Sequence, residues 1–250
     1  MDLADIEHPD FKKIYKELNG IYLISQGRMM AFYYRYLYTR YTGLYYNLGP
    51  VTREWEYPWA IINARIEKGQ RILDAGCGSS PLPAYLHKHG YLCYGLDNKF
   101  QSEVILPDMI TAKTRFLQHL SRFYPFYLLF NPHQMVGISA FAKTLRLPLD
   151  YIKGDLLKQP FADESFDRIF CISTLEHLSS EGILKAAVEF RRVLKPGGLL
   201  ISTVDCAGNG LSWREFIKTS GLSLYGETDF DRAPLKRHTF DVVGFVLQKK

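Results

Sequence analysis

The chain has 250 residues, of which 47% are hydrophobic and 23% charged, so it can bury the core of one sizeable domain with additions. Its net charge of +5 is mild, and its Lys/Arg runs, such as those at 236–237 and 249–250, are no longer than two residues, which disfavours a dedicated nucleic-acid surface. Because residues 1–5 are acidic and no apolar run approaches the ~20 residues of a membrane span, a soluble cytoplasmic protein without a leader is expected.

Residues 1–68 precede the first predicted strand and carry ten of the 17 tyrosines. Their spacing is compatible with one or two helices that pack on the domain that follows. The aromatic rings either fill that interface or, together with Tyr45, Tyr46 and Trp55, line an apolar ligand pocket.

A short apolar run at 71–74 leads into an Asp-x-Gly-x-Gly turn formed by Asp74, Gly76 and Gly78. The glycines allow a sharp turn and a close approach of the backbone to a ligand. Ser80 suits a helix N-cap and Pro81 the first helical position, so a strand, a turn and a helix start are predicted in succession.

The next predicted strand, 93–97, ends in Asp97, about 20 residues beyond the glycines. At this spacing in a doubly wound sheet, a carboxylate meets the hydroxyls of a ribose. A nicotinamide enzyme usually has a third glycine beside the pyrophosphate, and this chain has Pro81 there. The pattern therefore favours a nucleoside without a pyrophosphate.

An insertion is predicted at 99–148, because the connection to the next strand is far longer than usual. It is strongly aromatic, and Pro125 and Pro132 would break or kink a helix. A lid, a dimer contact and a membrane-surface patch are the three interpretations, and the lid is favoured because ligands bind at the end of the sheet from which the insertion leaves.

Further strands are predicted at 150–153, 166–172, 199–204, 222–227 and 242–248, with helical stretches between several of them. This alternation predicts an α/β fold with a doubly wound, mainly parallel sheet. The four cysteines (Cys77, Cys93, Cys171 and Cys206) lie singly, without metal-ligand spacing, so reduced buried thiols and no metal site are expected.

Four further segments, 153–156, 165–172, 175–178 and 191–198, follow the glycine turn in a recognisable order. Over about 69–204 the chain resembles the class I S-adenosylmethionine-dependent methyltransferases, and more narrowly their small-molecule, ubiquinone-biosynthesis-like branch. The resemblance implies a Rossmann-like seven-stranded domain over 69–250, whose last strand is antiparallel. Residues 1–68 would form a helical cap, and the insertion a helical lid.

The resemblance also implies roles for individual residues, with S-adenosylmethionine as the cofactor. Backbone near Ala75, Gly76 and Gly78 would hold its methionine end, Asp97 its ribose, and Asp155 with the Leu156 N–H its adenine. The full predicted cofactor-binding set is Asp74, Ala75, Gly76, Cys77, Gly78, Asp97, Asn98, Asp155, Leu156 and Ile172.

A hydroxyl acceptor must lose its proton, and His177 is the predicted general base. Its alternative role is that of a structural residue at a helix start. Residues 171–174 read Cys-Ile-Ser-Thr rather than Asn-Pro-Pro-Tyr, and no Pro-Cys pair occurs, which disfavours methylation of nucleobases. O-methylation of a small apolar or aromatic acceptor is therefore predicted. An RNA methyltransferase and a non-catalytic cofactor-binding scaffold are the alternatives.

Overall fold

The computed structural model describes residues 3–25, 52–78, 80–98, 150–205, 213–226 and 242–250. The strands are β1 (Arg71–Ala75), β2 (Leu92–Asp97), β3 (Asp150–Lys153), β4 (Phe166–Ile172), β5 (Leu194–Asp205), β6 (Ser223–Leu224) and β7 (Val242–Gln248). The helices are α1 (Leu3–Glu7), α2 (Pro9–Ser25), α3 (Thr52–Ala64), α4 (Leu82–Lys88), α5 (Ser180–Val193) and α6 (Trp213–Ser220), with a 3₁₀ turn at Leu175–His177.

The strands form one seven-stranded sheet in the order β3-β2-β1-β4-β5-β7-β6. The first five are parallel neighbours, whereas β7 pairs antiparallel with both β5 and β6. The predicted doubly wound α/β fold with an antiparallel last strand is thus confirmed. Because the order reverses beside β1, the carboxyl ends of β1 and β4 flank a crevice of the kind that binds ligands in such sheets.

Two strands differ from their predicted extents. β5 begins at Leu194 rather than at residue 199 because Leu194 pairs with Phe166, and the register of the β4–β5 pair shifts between Phe166 and Arg168. β6 contains only two residues, since Gly221 and Gly226 on either side have positive φ values of 60° and 78°.

Alternating side chains divide the core between the two faces of the sheet. Leu73 and Ile169 lie with α5 and α6 on one face, while Ile72 and Phe170 lie with α2, α3 and α4 on the other. Most strands therefore read as continuous apolar runs, as expected for a sheet covered on both sides.

Helix α3 packs directly on the sheet. Trp55, Trp59, Ala60 and Ala64 are buried in the same cluster as the strand residues. Trp59 lies so close to Gly244 that a Cβ there would be 2.7 Å from the indole ring, which explains the glycine in β7. The division at residue 68 stays a prediction, although residues on its two sides share this core. The insertion at 99–148 and the tyrosines at 33–46 lie outside the described residues.

Candidate functional site

The glycine turn crosses the carboxyl end of β2. The Gly76 and Cys77 N–H groups both donate to the Leu96 carbonyl oxygen, at 2.8 and 3.1 Å. The Gly78 N–H donates to Oδ2 of Asp97 at 2.8 Å, so the loop and the predicted ribose-binding carboxylate are joined directly. The structure thus brings together the two motifs that the sequence places 19 residues apart.

Gly76 has a specific reason to be glycine. Its φ is 75°, and a Cβ there would lie 2.5 Å from Oγ1 and 2.9 Å from Cβ of Thr174. Thr174 follows β4, and its hydroxyl lies 3.3 Å from the Gly76 carbonyl oxygen. The segment after β4 therefore packs against the glycine turn, and any side chain at residue 76 would push them apart.

The start of α4 agrees with its prediction. The Leu82 N–H donates to the Ser80 hydroxyl at 3.1 Å, and Pro81 already has helical dihedral angles. Ser80 therefore caps the helix, with Pro81 in its first turn. The Ser80 hydroxyl also lies near Tyr57 of α3 and Asp74 of β1, where it partly offsets the rise that burial causes in the pKa of both side chains.

Asp74 is a carboxylate in a nearly closed environment. The residue is 2% exposed, and its Oδ2 has no hydrogen-bond partner within the described part of the chain. Burial raises the pKa of Asp74 to about 7, Asp97 adds repulsion, and Ser80 and Arg53 oppose the shift. An oxygen buried in this way is suited to a cationic or hydrogen-bonding ligand group.

The predicted adenine-binding residues follow β3, next to β2. The Gly154 N–H donates to the Asp97 carbonyl oxygen at 2.9 Å, which holds this loop beside the ribose residue. Asp155 is exposed and accepts from the Leu157 N–H at 2.9 Å, whereas the Leu156 side chain is buried in the core. Asn98 is exposed directly after β2. All three lie at the same edge of the sheet as the glycine turn.

His177 ends the 3₁₀ turn that follows β4. Its backbone N–H donates to the Thr174 carbonyl oxygen at 3.1 Å, and its side chain is exposed. Ile172 is buried as the last residue of β4. His177 is thus three residues from the side chain that contacts the glycine turn, and its role as a base stays a prediction.

A second polar group at the site was missed by sequence reasoning. Glu56 of α3 is fully buried and accepts hydrogen bonds from the hydroxyls of Ser173, after β4, and Thr203, in β5. Arg53 forms an ion pair with its other oxygen at 3.0 Å. The sequence contained a signal for this role, because helical spacing places Glu56 on the same face as the apolar residues Trp59 and Ala60. A carboxylate on a buried face needs hydrogen-bond or charged partners.

Trp55 does not have the ligand-facing position that one interpretation assigned to it. It is fully buried, stacks on Trp59, and donates from its indole N–H to Asp5 at 2.9 Å. Its role in the described structure is to join α1 to α3. Tyr45 and Tyr46 lie outside the described residues.

The cysteines Cys77, Cys93 and Cys171 are free and buried, as predicted, and burial raises the pKa of each thiol well above its usual range. Across the described ranges, no group of three or more His, Cys, Asp or Glu side chains could hold a metal ion. Nor does any helix among the described residues have the length and apolar character needed to cross a membrane.

The residues present fit an adenosine-containing cofactor with a positive charge. Among the described residues, the atom nearest to a Cβ at Gly78 would be Oδ2 of Asp97, 3.8 Å away, so the backbone is open there and Asp97 lies beside it. The unpartnered oxygen of Asp74 supplies negative charge beneath it. S-Adenosylmethionine has the matching features, namely ribose hydroxyls, an ammonium group and a sulfonium.

Comparison with known proteins agrees with this geometry. Residues 113–202 match a family model described as a methyltransferase domain. A sterol 24-C-methyltransferase of Gibberella zeae is 42% identical over 72 residues, covering 28% of this chain and 18% of that protein. A sterol 24-C-methyltransferase of Pneumocystis carinii is 28% identical over 194 residues, covering 66% of this chain and 42% of that protein. The chain spans less than half the length of these curated relatives.

The fold is also that of solved methyltransferases. The structure of geranyl diphosphate C-methyltransferase from Streptomyces coelicolor A3(2) superimposes with a TM-score of 0.52 at 12% identity, covering 77% of each chain. At this identity the similarity concerns the fold alone. The described sheet therefore has the fold of such enzymes, and residues 113–202 match the methyltransferase-domain model.

Proposed function

We propose that this chain transfers a methyl group from S-adenosylmethionine to a small, apolar acceptor. The observation that carries the proposal is the hydrogen bond between the Gly78 N–H and Asp97, which joins the glycine turn and the acidic end of β2 in one site. The ends of β1, β2 and β4 converge there, as they do in ligand sites of open α/β sheets.

Each residue of the site has a role in this proposal. Asp97 accepts hydrogen bonds from the ribose hydroxyls, and Asp155 with the Leu156 N–H binds the adenine edge. Backbone of the glycine turn holds the methionine end, and Asp74 lies nearest to the positive charge. When bound, the cofactor supplies an already activated methyl group, so the chain mainly has to orient the acceptor and exclude water.

For a hydroxyl acceptor we assign proton removal to His177. Its position three residues after Thr174 places it on the β4 side of the site, away from Asp97 on the β2 side. A base at this location accepts the proton as the oxygen–methyl bond forms. O-Methylation, and the ubiquinone-biosynthesis-like branch suggested by the motifs, are kept as parts of this proposal.

A carbon acceptor is the second candidate. It is favoured by the similarity to two proteins named sterol 24-C-methyltransferase. A carbon nucleophile such as an alkene gains the methyl group first and loses a proton afterwards. In that case the site still needs a base, but one that acts after transfer.

The first test is calorimetry of the full chain with S-adenosylmethionine, S-adenosylhomocysteine and, as a control, NADH. Binding of both sulfur nucleosides without NADH is expected. The protein is then incubated with methyl-labelled S-adenosylmethionine and either a lipid or an RNA fraction of a cell extract. Labelled lipid product with S-adenosylhomocysteine supports the proposal, and its NMR spectrum distinguishes an O-methyl from a C-methyl group. Labelled RNA alone, or binding without turnover, contradicts it.

A further inference from the structure

Glu56 connects three parts of the protein that are far apart in the sequence. Its Oε1 accepts from the hydroxyl of Ser173, directly after β4, and from the hydroxyl of Thr203 in β5 at 2.8 Å. The two partners are 117 and 147 residues away along the chain. We name this group, Glu56 with Ser173 and Thr203, the strand-end brace.

The charge of Glu56 is balanced from its own helix. Arg53, one turn earlier in α3, contacts Oε2 at 3.0 Å, so both carboxylate oxygens have partners although the residue is fully buried. A buried carboxylate is stable only when such partners are present. The arrangement is therefore specific to this packing of α3 on the ends of β4 and β5.

The brace is next to the cofactor site. Ser173 has a positive φ of 42°, an uncommon conformation for a serine, and its N–H donates to the Thr203 carbonyl oxygen at 2.9 Å. The following residue is Thr174, whose side chain contacts Gly76 in the glycine turn. Backbone strain of this kind persists only where the surroundings hold it, and the hydrogen bond to Glu56 does so here.

We propose that Glu56 is a positioning residue for the cofactor site, acting through Ser173 to hold Thr174 against the glycine turn. The inference rests on the proposed function, because it assumes that the turn binds S-adenosylmethionine. It assigns a specific task to helix α3 in the N-terminal segment. Without the brace, the segment after β4 would be free to leave its strained conformation and the glycine turn would lose its support.

Two variants separate positioning from simple stabilisation. Ser173→Ala and Thr203→Val each remove one hydroxyl donor to the same oxygen of Glu56, but only Ser173 adjoins Thr174. Both should lower the melting temperature. We expect Ser173→Ala to weaken S-adenosylmethionine binding at least fivefold by calorimetry, and Thr203→Val to change it less than twofold.

Variants of Glu56 itself complete the test. Glu56→Gln keeps an oxygen that can accept from Ser173, and should retain affinity within about threefold, whereas Glu56→Ala should lose at least tenfold. All titrations are made well below the melting temperatures, so a purely structural role would leave affinity unchanged. If Glu56→Ala does not fold, the Ser173 and Thr203 pair still decides the question.

Equal affinities for Ser173→Ala and Thr203→Val, or a Ser173→Ala variant that binds like the unmodified chain, would overturn the inference. Failure of the proposed function has a different signature. In that case the unmodified chain itself would not bind S-adenosylmethionine.

Discussion

Asp74→Asn is expected to stabilise the protein above neutral pH while weakening its binding of S-adenosylmethionine. Asp74 is nearly fully buried, and burial raises the pKa of its carboxyl from 3.8 to about 7. Between these values the folded state holds a proton that the unfolded state has lost. The contribution of the Asp74 carboxyl to the free energy of unfolding is therefore fully present below about pH 4, where it is protonated in both states. It is lost as the pH rises through about 7, where the buried carboxyl must ionise.

The size of the effect follows from the shift. A difference of about three pKa units corresponds to about 4 kcal/mol of destabilisation at pH 8, at 1.36 kcal/mol per unit. Asparagine has a similar shape and no charge, but its buried amide lacks some partners, at a cost of about 1–3 kcal/mol. This cost does not vary with pH, so it cancels when the stability difference between the two proteins is compared at two pH values. The stability advantage of Asp74→Asn should thus grow by about 2–3 kcal/mol from pH 5 to pH 8.

Urea unfolding of both proteins at pH 5, 6, 7 and 8 measures this difference by linear extrapolation. Calorimetry at pH 8 measures cofactor binding in parallel, and we expect at least a tenfold loss because a negative charge beside the bound cation is removed. A stability difference that does not change with pH would refute the assignment of a raised pKa to Asp74. Unchanged affinity would refute its contact with the cofactor.

Three other predictions concern single residues of the site. Gly76→Ala should weaken S-adenosylmethionine binding more than about tenfold, because the new Cβ would overlap Thr174. Gly90→Ala is the matched control, since Gly90 also has a positive φ, of 83°, but a Cβ there would have no atom within 4 Å. Equal losses of affinity for the two variants in calorimetry would mean that backbone strain, rather than overlap with Thr174, causes the effect. Asp97→Ala should weaken cofactor binding by about tenfold or more through loss of charge-assisted hydrogen bonds to ribose, and calorimetry that shows unchanged affinity would exclude this position from the ribose site. If His177 removes the acceptor proton, His177→Gln should lower kcat by about 100-fold or more and leave the cofactor Kd unchanged. A kcat that stays within twofold in a turnover assay with the identified acceptor would show that His177 is not the general base.

The local features of the site were predictable because each is written in a continuous stretch of chain. Apolar runs predicted the strands, and the glycines with Ser80 and Pro81 predicted the turn and the helix start. The spacing between the glycines and Asp97 along the sequence was sufficient to predict that they meet, since parallel neighbouring strands end at the same edge of a sheet.

The state of Asp74 could not be predicted in this way. Its position after an apolar run indicated a ligand-binding carboxylate, but not that Ser80 and Tyr57 would close around it. Desolvation depends on every element that covers a group, and α3 is contributed by a part of the chain for which only a general helical pattern was visible.

By itself, then, the sequence determined the α/β fold and the glycine turn that meets Asp97, because periodicity, turn chemistry and motif spacing act over a few dozen residues. Only the tertiary structure decided that Trp55 is a core residue and that Glu56 braces the ends of two strands. Both residues belong to the same helix. The hydrogen-bond partners of Glu56 are more than 100 residues away along the chain, and the partner of Trp55 is 50 residues away. Such pairings depend on which helix face packs against which strand ends, a choice made by burial of the whole core rather than by any local pattern.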